Sequence, residues 1–531
     1  MKRLAIALAA LSSMLALPSP ARAQDLKDRF NIRLIAQGMF ETEQQAAAAG
    51  YGREAQVASP FELGYGDLRA VIDGRRLPGN FDLHLDGRVR ISGEFTTAAA
   101  DQGANQIISR GYLGGREYEV RQAWVRRRGE SVDFGLGRII VPEADALKID
   151  GLRLWWRMAK HWDASIYAGA YPDPYSRSLT SDYTGGFAFA GGVDATYTYD
   201  KIWGAFSVNS AYLGGKDDGG PLFGPGNPKT ETPRTWITWT DYIRMASWLD
   251  LFTDVVFDAT GAAGAQLTRL DALFSIRAGK HLTLHAGYDH LSAFAIEMYL
   301  TRLLQDRLSY LPGTIENNMI VERTARDEVR GDFDLSFGKM SIFGDGRFRK
   351  RALTTLSEDP QFQGVNGQLV MPGLAYDVTA GVRDRGSLAG IRMGLWFTYL
   401  ADYRSKSSIF GIDLGRSFYD ERLSFDLSFL YASTNDALAN SPNFPAAGCS
   451  IASVATVNAG CYGTRAGAEY ETGLTVTAAP SNHWFLFLDY RLVADTSGGF
   501  IVPAGNPLMA AVLPQPTVLT HVLLLRLEAR Y

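Results

Sequence analysis

The sequence predicts an all-β protein, a transmembrane antiparallel up-and-down β-barrel of about 22 strands, with roughly 18 to 24 allowed by the pattern. Three observations support this fold. Apolar and polar residues alternate with a period of two, short polar turns alternate with long connections, and the chain ends on an aromatic residue after alternating leucines. The composition agrees: 55 Gly, 24 Tyr, 28 Phe and 10 Trp accompany a mean hydropathy of only -0.09.

The alternation is clearest between Phe81 and Ile91, where Leu83 and Leu85 share the face of Phe81. Charged residues and one histidine occupy the opposite face, as expected for a strand with one side in lipid and the other in water. The same pattern recurs at 329–337, 342–349 and 376–385. The polar faces of these four stretches supply the residues that we predict to line the interior: Asp82, His84, Asp86, Arg88, Arg90, Arg330, Asp332, Asp334, Asp345, Arg347, Arg349, Asp377, Arg383 and Arg385.

The connections alternate between two lengths from residue 30 to the C-terminus. Short polar turns fall, for example, at 77–80, 200–201 and 338–339, which places both termini on the short-turn side. This one-sided arrangement is typical of outer-membrane barrels, whose periplasmic turns are short and extracellular loops long. The connections in the long-loop phase are 41–63, 95–115, 142–147, 172–186, 216–232, 259–264, 291–327, 352–373, 402–406, 434–465 and 495–517, three of them (142–147, 259–264 and 402–406) being short.

A closed barrel also explains how charges recur in nearly every strand. Backbone N–H and C=O groups must be paired internally in hydrocarbon, so strands cross a membrane only as a closed cylinder. Each tilted strand needs about 9–11 residues, which these elements provide. Their charged face then meets a water-filled lumen.

Both ends of the chain carry targeting features. Lys2 and Arg3 precede the apolar stretch 4–17, and small residues at 21–23 complete the pattern of a secretory signal peptide. We therefore expect residues 1–23 to be removed and 24–531 to form a single barrel domain; the alternative, an uncleaved anchor, has a short apolar stretch for a membrane span. At the other end, the alternating residues Leu523, Leu525, Leu527 and Tyr531 resemble the C-terminal signal by which outer-membrane proteins are recognised for assembly.

The two cysteines, Cys449 and Cys461, lie in the polar connection 434–465. In an exported chain such a pair indicates a disulfide that closes a surface loop. Two free thiols are the alternative, whereas a metal site would need more ligands nearby. We predict neither a metal nor a cofactor.

One long connection has helical spacing. Within 291–327, Ile296, Leu300, Leu303 and Leu304 fall on one face of a short amphipathic helix. This helix either constricts the pore or lies on the outer rim. No globular plug domain precedes the first strand candidate near Phe30, so inward-folding loops are the expected source of any occlusion.

The predicted interior residues have two interpretations. Arginine clusters favour solutes with carboxylate or phosphate groups, and rings of charge set ion preference in pores. Rows of Arg and Asp also brace a barrel wall, and we assign at least half of these residues to bracing. The net charge of -4 favours neither nucleic acid nor a polybasic surface.

One hairpin resembles a known family. The stretches 120–125, 132–138 and 149–154 read VRQAWV, VDFGLGR and IDGLRL. They are similar to a hairpin of alginate-export-type outer-membrane porins, with Ile139 where that family has Gln. The resemblance covers about residues 120–154 and implies a monomeric channel for anionic polysaccharide with arginines lining the lumen.

Two other protein classes fit less well. A soluble propeller or solenoid would show an internal repeat of about 20–50 residues, and the sequence has none. An enzyme would need a nucleophile or an acid–base group; His285 and Asp289 share one strand face, but no nucleophile motif accompanies them. We therefore predict no enzymatic activity.

Three functions stay open at this point: a general or anion-selective diffusion porin for hydrophilic solutes, a conduit for polysaccharide export or secretion with periplasmic partners, and an occluded structural or surface barrel. All three place the chain in the bacterial outer membrane, with lipid and the barrel-assembly machinery as partners.

Overall fold

The computed structural model describes residues 29–45, 61–94, 116–172, 188–213, 234–260, 265–292, 325–351, 374–401, 405–436, 467–496 and 518–531. These residues form a closed antiparallel β-barrel of 22 strands. Each strand pairs with its neighbours in sequence, and β1 also pairs with β22, which closes the cylinder. The predicted fold class and strand number are confirmed.

The strands run between the following residues: β1 Phe30–Gln45, β2 Phe61–Leu77, β3 Phe81–Glu94, β4 Arg116–Arg127, β5 Val132–Val141, β6 Leu147–Ala159, β7 Trp162–Ala170, β8 Ala188–Tyr199, β9 Ile202–Leu213, β10 Arg234–Ala246, β11 Leu249–Thr260, β12 Gln266–Ala278, β13 Leu282–Ser292, β14 Ala325–Phe337, β15 Met340–Arg351, β16 Leu374–Leu388, β17 Ile391–Ala401, β18 Ser405–Phe418, β19 Leu423–Asp436, β20 Gly467–Ser481, β21 Trp484–Asp495 and β22 Val518–Arg530. A single 3-10 turn, Pro142–Ala144, connects β5 to β6.

The exterior of the barrel is apolar. On β15, Ile342 and Phe348 are exposed on one face, whereas Ser341 on the other face is buried. On β14 the exposed residues are likewise Val329, Phe333 and Phe337. Such a surface is the one expected of a wall that lies in hydrocarbon, because apolar side chains alternate outward along every spanning strand. No helix among the described residues is long and apolar enough to cross a membrane.

The short turns gather at one end of the cylinder, together with both ends of the barrel. Left-handed backbone conformations make these turns tight, as at Gly79 and Asn80 between β2 and β3 and at Gly338 between β14 and β15. The last residue lies at the same end, where the backbone groups of Tyr531 and Ile32 exchange two hydrogen bonds of 2.8 Å. The Tyr531 ring stacks on His483. Of the predicted assembly signal, Leu523, Leu525 and Tyr531 are exposed; the signalling role of these residues and of Leu527 stays a prediction.

Several sequence predictions concern segments outside the described residues. These are the signal peptide 1–23, the pair Cys449 and Cys461, and the amphipathic helix in the connection 291–327. β13 and β14 extend into the predicted bounds of that connection, so 293–324 is its part outside the description.

Candidate functional site: the barrel interior

The connection between β5 and β6 identifies the inner face of the wall. The 3-10 turn Pro142–Ala144 packs against β8, β9 and β10, and Asp145 forms an ion pair of 2.8 Å with Arg269 on β12. In the wall, β8, β9, β10 and β12 are separated from the β5–β6 hairpin by β7 and do not pair with it. They meet the connection only across the interior, so the faces that they present to it point inward.

All fourteen residues predicted to line the interior lie on the face opposite the exposed apolar side chains. On β3 the exposed residues are Phe81, Val89 and Ile91, and on β16 they include Tyr376 and Val378; the predicted residues have the opposite parity in each case. Whether they contact a passing solute stays a prediction.

In the β2–β4 part of the wall, the predicted residues form close ion pairs with partners that the sequence did not indicate. The Arg69 guanidinium donates two hydrogen bonds of 2.6 and 2.7 Å to the Asp86 carboxylate, and Arg88 forms an ion pair of 2.7 Å with Glu119. Two further residues form ion pairs, Arg90 with Asp67 at 2.9 Å and Asp82 with Arg128, and the His84 ring is hydrogen-bonded to Asp73 at 2.6 Å.

In the β13–β16 part, the structure brings predicted residues together. The Asp377 carboxylate lies 2.6 Å from Arg349 and 3.8 Å from Arg347, and Arg347 is 3.6 Å from Asp345. Arg349 also contacts Glu328, at 2.8 Å. The other contacts are Arg330 with Asp271, Asp332 with His285, Asp334 with Ser336, and Arg383 over the Phe343 ring at 3.7 Å.

Most of the predicted lining residues therefore brace the wall through cross-strand ion pairs. Oppositely charged side chains on adjacent strands can form ion pairs while both stay on the water-facing side. Arg383 and Arg385 form no ion pair with any described residue, so their charges are the least compensated of the fourteen.

The hairpin β5–β6 departs from the wall. β5 pairs with β4 only from Ala123↔Arg138 to Arg127↔Phe134, whereas its pairing with β6 continues to Val141↔Leu147. Beyond Arg138 the hairpin therefore has no register with β4. The Arg138 guanidinium donates to the Val120 carbonyl oxygen at 2.8 Å, which caps the β4 edge at this point.

One face of the hairpin tip is packed against the inner wall. Val141, Ala144 and Ile149 have no accessible surface, and Ile139 and Leu147 have almost none. They form an apolar cluster with Tyr167, Ala190, Ala211, Trp236 and Val256, which belong to β7–β11. Inside an otherwise charged cylinder, this sector has a dry core.

Charged and polar contacts hold the tip in place. The Glu143 side chain accepts from Arg153 at 2.9 Å, and Arg153 also contacts Asp194 at 3.0 Å. The Glu143 carbonyl oxygen accepts from the Thr238 hydroxyl. Thr238 ends a buried hydrogen-bonded chain across the inner wall, in which Tyr167 donates to Asn209, Asn209 donates to Ser207, and the Ser207 and Thr238 hydroxyls share a bond.

A cavity of about 370 Å³ lies beside the tip. Its lining contains four cations, Arg121, Lys148, Arg234 and Arg269, and two carboxylates, Glu119 and Asp145. Trp236, Val256 and Leu291 supply apolar surface. Cationic side chains thus outnumber carboxylates in this lining, and Trp236 gives it one aromatic side.

Two cations in this lining are weakly compensated. Arg121 occupies a β-bulge, because Gln122 pairs with Asp86 and Val120 with Gly87, and a bulge re-aims its side chain. Its nearest carboxylate, Asp86, is 4.0 Å away and already bound by Arg69. Lys148 has no ion pair or hydrogen bond within the described part of the chain.

Two donors in the same lining also lack acceptors. Trp236 Nε1 and Arg269 Nε are buried and form no hydrogen bond with any described residue. Both atoms are fully enclosed, so they do not reach the cavity, and their unmet hydrogen bonds are a local cost of packing in this sector.

Asp145 lies in the connection between two strands, outside the spanning segments. About a third of its side chain is accessible (31%). This partial burial raises the pKa of the Asp145 carboxyl, while Arg269 and Arg234 act in the opposite direction. Asp145 therefore takes up a proton at a higher pH than an ordinary aspartate.

The tip was not among the sites predicted from the sequence. The sequence predicted a short connection at 142–147 and a helix within 291–327 that either constricts the pore or lies on the outer rim. A signal was present: Ile139, Ile140 and Val141 are consecutive apolar residues before Pro142, which breaks the alternation. Apolar residues on both faces indicate an element covered on both sides.

The histidine considered for catalysis has a structural contact. His285 Nδ1 lies 2.7 Å from the carboxylate of Asp332 on the neighbouring strand. Asp289 is 3.3 Å from Arg326. His290, next in the chain, contacts Asp327 at 2.7 Å.

Comparison with known proteins gives structural likeness alone. No family model matches the chain, and no curated protein matches it. Among solved structures, the ferric enterobactin receptor PfeA of Pseudomonas aeruginosa is 10% identical, with coverage of 95% of this chain and 81% of that chain and a TM-score of 0.44. OccK11 (OpdR) of the same organism is 10% identical (95% and 97% coverage, TM-score 0.36), and OccAB4 of Acinetobacter baumannii is 7% identical (95% and 98% coverage, TM-score 0.36). At this level of similarity no function transfers, and the fold rests on the strand pairing itself.

Proposed function

We propose that this chain is a bacterial outer-membrane channel that admits hydrophilic solutes, with preference for anions. The observation that carries the proposal is the positively charged cavity beside the hairpin tip, inside a closed barrel with an apolar exterior. A cylinder of this size has a water-filled lumen unless something fills it. The tip narrows that lumen and places Arg121 and Lys148 beside the remaining space.

The chemistry of the lining favours oxygen-rich anions. Among the described residues, Arg121 has one carboxylate at 4.0 Å, which Arg69 already binds, and Lys148 has no ion pair, so both bring charged donors to the cavity. A carboxylate or phosphate group accepts several such bonds at once. Weak, multiple contacts suit a channel, because a solute must also leave.

Conductance and ion selectivity in planar bilayers test this proposal. We expect an open channel whose reversal potential in a KCl gradient indicates anion preference. The double variant Arg121→Gln and Lys148→Gln should lose most of that preference while the barrel still folds. The matched control is Lys280→Gln, which removes one exposed charge from a short turn. Closed channels, or cation preference in the unmodified chain, would overturn the proposal.

A second candidate is a conduit for anionic polysaccharide, working with periplasmic partners. One observation favours it: the hairpin that resembles alginate-export-type porins, about residues 120–154, is the one that forms the inward tip. In this hairpin Asp150 binds Arg138 and Arg153 binds Glu143, so the Asp-Gly-Leu-Arg stretch positions the tip. Block of the current by uronate oligomers, but not by neutral oligomers of equal length, would favour this candidate over a general porin.

A further inference from the structure

A carboxylate lies on the outer, lipid-facing surface near the short-turn end. On β10, Trp239 is an exposed outward residue, with 53% of its surface accessible, and Asp241 has the same parity. Its register partners are Thr253 on β11 and Gly204 on β9, which also point outward. Asp241 is the third pair from the turn that joins β8 to β9. In a barrel that spans a membrane, outward residues this close to the short turns lie at the interface between hydrocarbon and head groups.

The local structure holds this carboxylate in place. The Tyr197 hydroxyl donates to Asp241 Oδ1. A Cβ atom at residue 204 would collide with both Asp241 Oδ1 and the Tyr197 phenol, so the glycine lets both groups lie against the sheet. Only 7% of the Asp241 surface is accessible.

Further aromatic rings lie beside Tyr197 on the same outer surface. The Trp162 and Tyr197 rings are 5.2 Å apart, and Trp162 Nε1 donates to the Tyr199 hydroxyl at 3.3 Å. His161 stacks on the Tyr199 ring at 4.6 Å. Trp162, Tyr197 and Tyr199, together with Trp239, form an outward-facing group of electron-rich rings. We call these four residues the aromatic box.

The second carboxylate oxygen has no partner. Among the described residues, no Lys, Arg or His lies within ion-pair distance of Asp241, and Oδ2 accepts no hydrogen bond. Oδ2 is also absent from the fully enclosed polar atoms, so it reaches the outer surface. An ionisable group on the lipid side is costly, and where it is kept it marks a function.

We propose that Asp241 and the aromatic box bind the ammonium group of a phosphatidylethanolamine head group in the periplasmic leaflet. The ammonium donates to Asp241 Oδ2 and lies against the ring faces, which attract cations. Lys160 and Lys201, exposed on the two adjacent short turns, provide positive charge for the phosphate. The inference rests on the membrane placement in the proposed function and does not depend on an open pore.

Native mass spectrometry of the intact barrel, released from detergent with defined lipids, tests this inference. We expect phosphatidylethanolamine to bind about tenfold more tightly than phosphatidylglycerol with the same acyl chains, the factor for one charge-assisted hydrogen bond. Asp241→Asn should abolish this difference. The matched control is Asp163→Asn, which removes a carboxylate at the same height but on the inner face, and should preserve the difference.

Two further measurements separate the alternatives. Phosphatidylcholine keeps the positive charge but has no N–H donors, so it should bind more weakly than phosphatidylethanolamine; equal binding would contradict the bond to Oδ2. Tyr197→Phe keeps the carboxylate and the ring but removes the hydroxyl that holds Asp241 in place, so it should weaken the lipid preference without abolishing it. Equal binding of all lipids, or a dimer that excludes lipid from the unmodified chain, would overturn the inference. A closed pore with intact lipid preference would refute only the proposed function.

Discussion

Two sectors of the same barrel differ in how their inner face is covered. In the sector β5–β11, the hairpin tip covers the inner wall, and Val141, Ile149 and Val256 form a dry cluster. In the sector β13–β17, the inner wall has no described layer over it, and Arg–Asp pairs such as Arg349 with Asp377 meet the lumen. Apolar residues occur on the inner face where a second layer covers them, because burial stabilises only the apolar surface that is removed from water.

The ion pairs differ in the same way. Arg153 is 4% accessible and touches two carboxylates, whereas the Arg330 side chain is 38% accessible and has one partner, Asp271. A buried pair is costly to break because the partner stays charged and desolvated, whereas an exposed pair is screened by water. The covered sector should therefore respond strongly to substitution and the open sector weakly.

The largest effect is expected from Val141→Asp. This places a carboxylate in the fully buried cluster, at a cost of about 3 kcal/mol or more, which shifts the docked-to-undocked ratio of the tip by about a hundredfold. The tip should leave the wall while the barrel itself persists. Single-channel recordings should show a larger or noisier conductance.

The control is the neighbouring substitution Ile140→Asp, whose side chain lines the cavity. It should leave the tip docked, because the new carboxylate meets water and the cations of the lining. Equal conductance changes for both variants would refute the difference between the two faces of the tip.

The next effect compares Arg153→Gln with Arg330→Gln. The first leaves Glu143 and Asp194 without their shared cation and should destabilise the barrel by about 3–5 kcal/mol. The second removes an accessible pair and should cost less than about 1 kcal/mol. Urea unfolding in lipid vesicles, followed by tryptophan fluorescence, measures both. Similar losses for the two variants would contradict the distinction between covered and open sectors.

A third effect concerns pH. Because the pKa of Asp145 is raised, acidification neutralises this carboxylate while ordinary aspartates stay ionised. The cavity then loses one negative charge, Arg269 is partly released, and anion preference should increase as pH falls. Asp145→Asn should show the higher anion preference already at neutral pH, with no such step on acidification. If anion preference changed by the same amount on acidification in the variant, the group that titrates would be one other than Asp145.

The smallest effect is expected from Thr238→Val. It removes one hydrogen bond to the Glu143 carbonyl oxygen and should weaken tip docking by about 1 kcal/mol. Thr379→Val is the matched change in the open sector, where the Thr379 hydroxyl shares a hydrogen bond with Thr398 across the sheet. Channel noise should rise in the first variant alone; noise in both would mean that wall rigidity, and not the tip, controls the current.

Residues such as Phe81 and Asp82 show why much of this fold could be predicted. Their alternation, repeated along the chain, assigns strands, faces and strand number from local information. Ile140 and Lys148 show the limit. By alternation they fall on the outward face of β5 and β6, shared with exposed Leu136 and Leu152, yet the departure of the hairpin from β4 brings this face to the lumen cavity.

The ion-pair partners mark the same limit. The sequence indicated that Asp86 and Arg88 point inward, but not that Arg69 and Glu119 bind them, because cross-strand partners depend on register. Likewise, Asp241 appeared as one polar residue in a strand. Its outward position under Tyr197 depends on the alignment of β8, β9 and β10.

Alternation along the chain was enough to predict the barrel, its strands and the polarity of each face, since a period of two is a local property that a closed wall preserves. Only the tertiary structure decided that the hairpin after β4 folds inward, which charges it leaves uncompensated, and which carboxylate stays on the lipid side. Those outcomes depend on packing between residues far apart in the chain, for which alternation along a single strand carries no information.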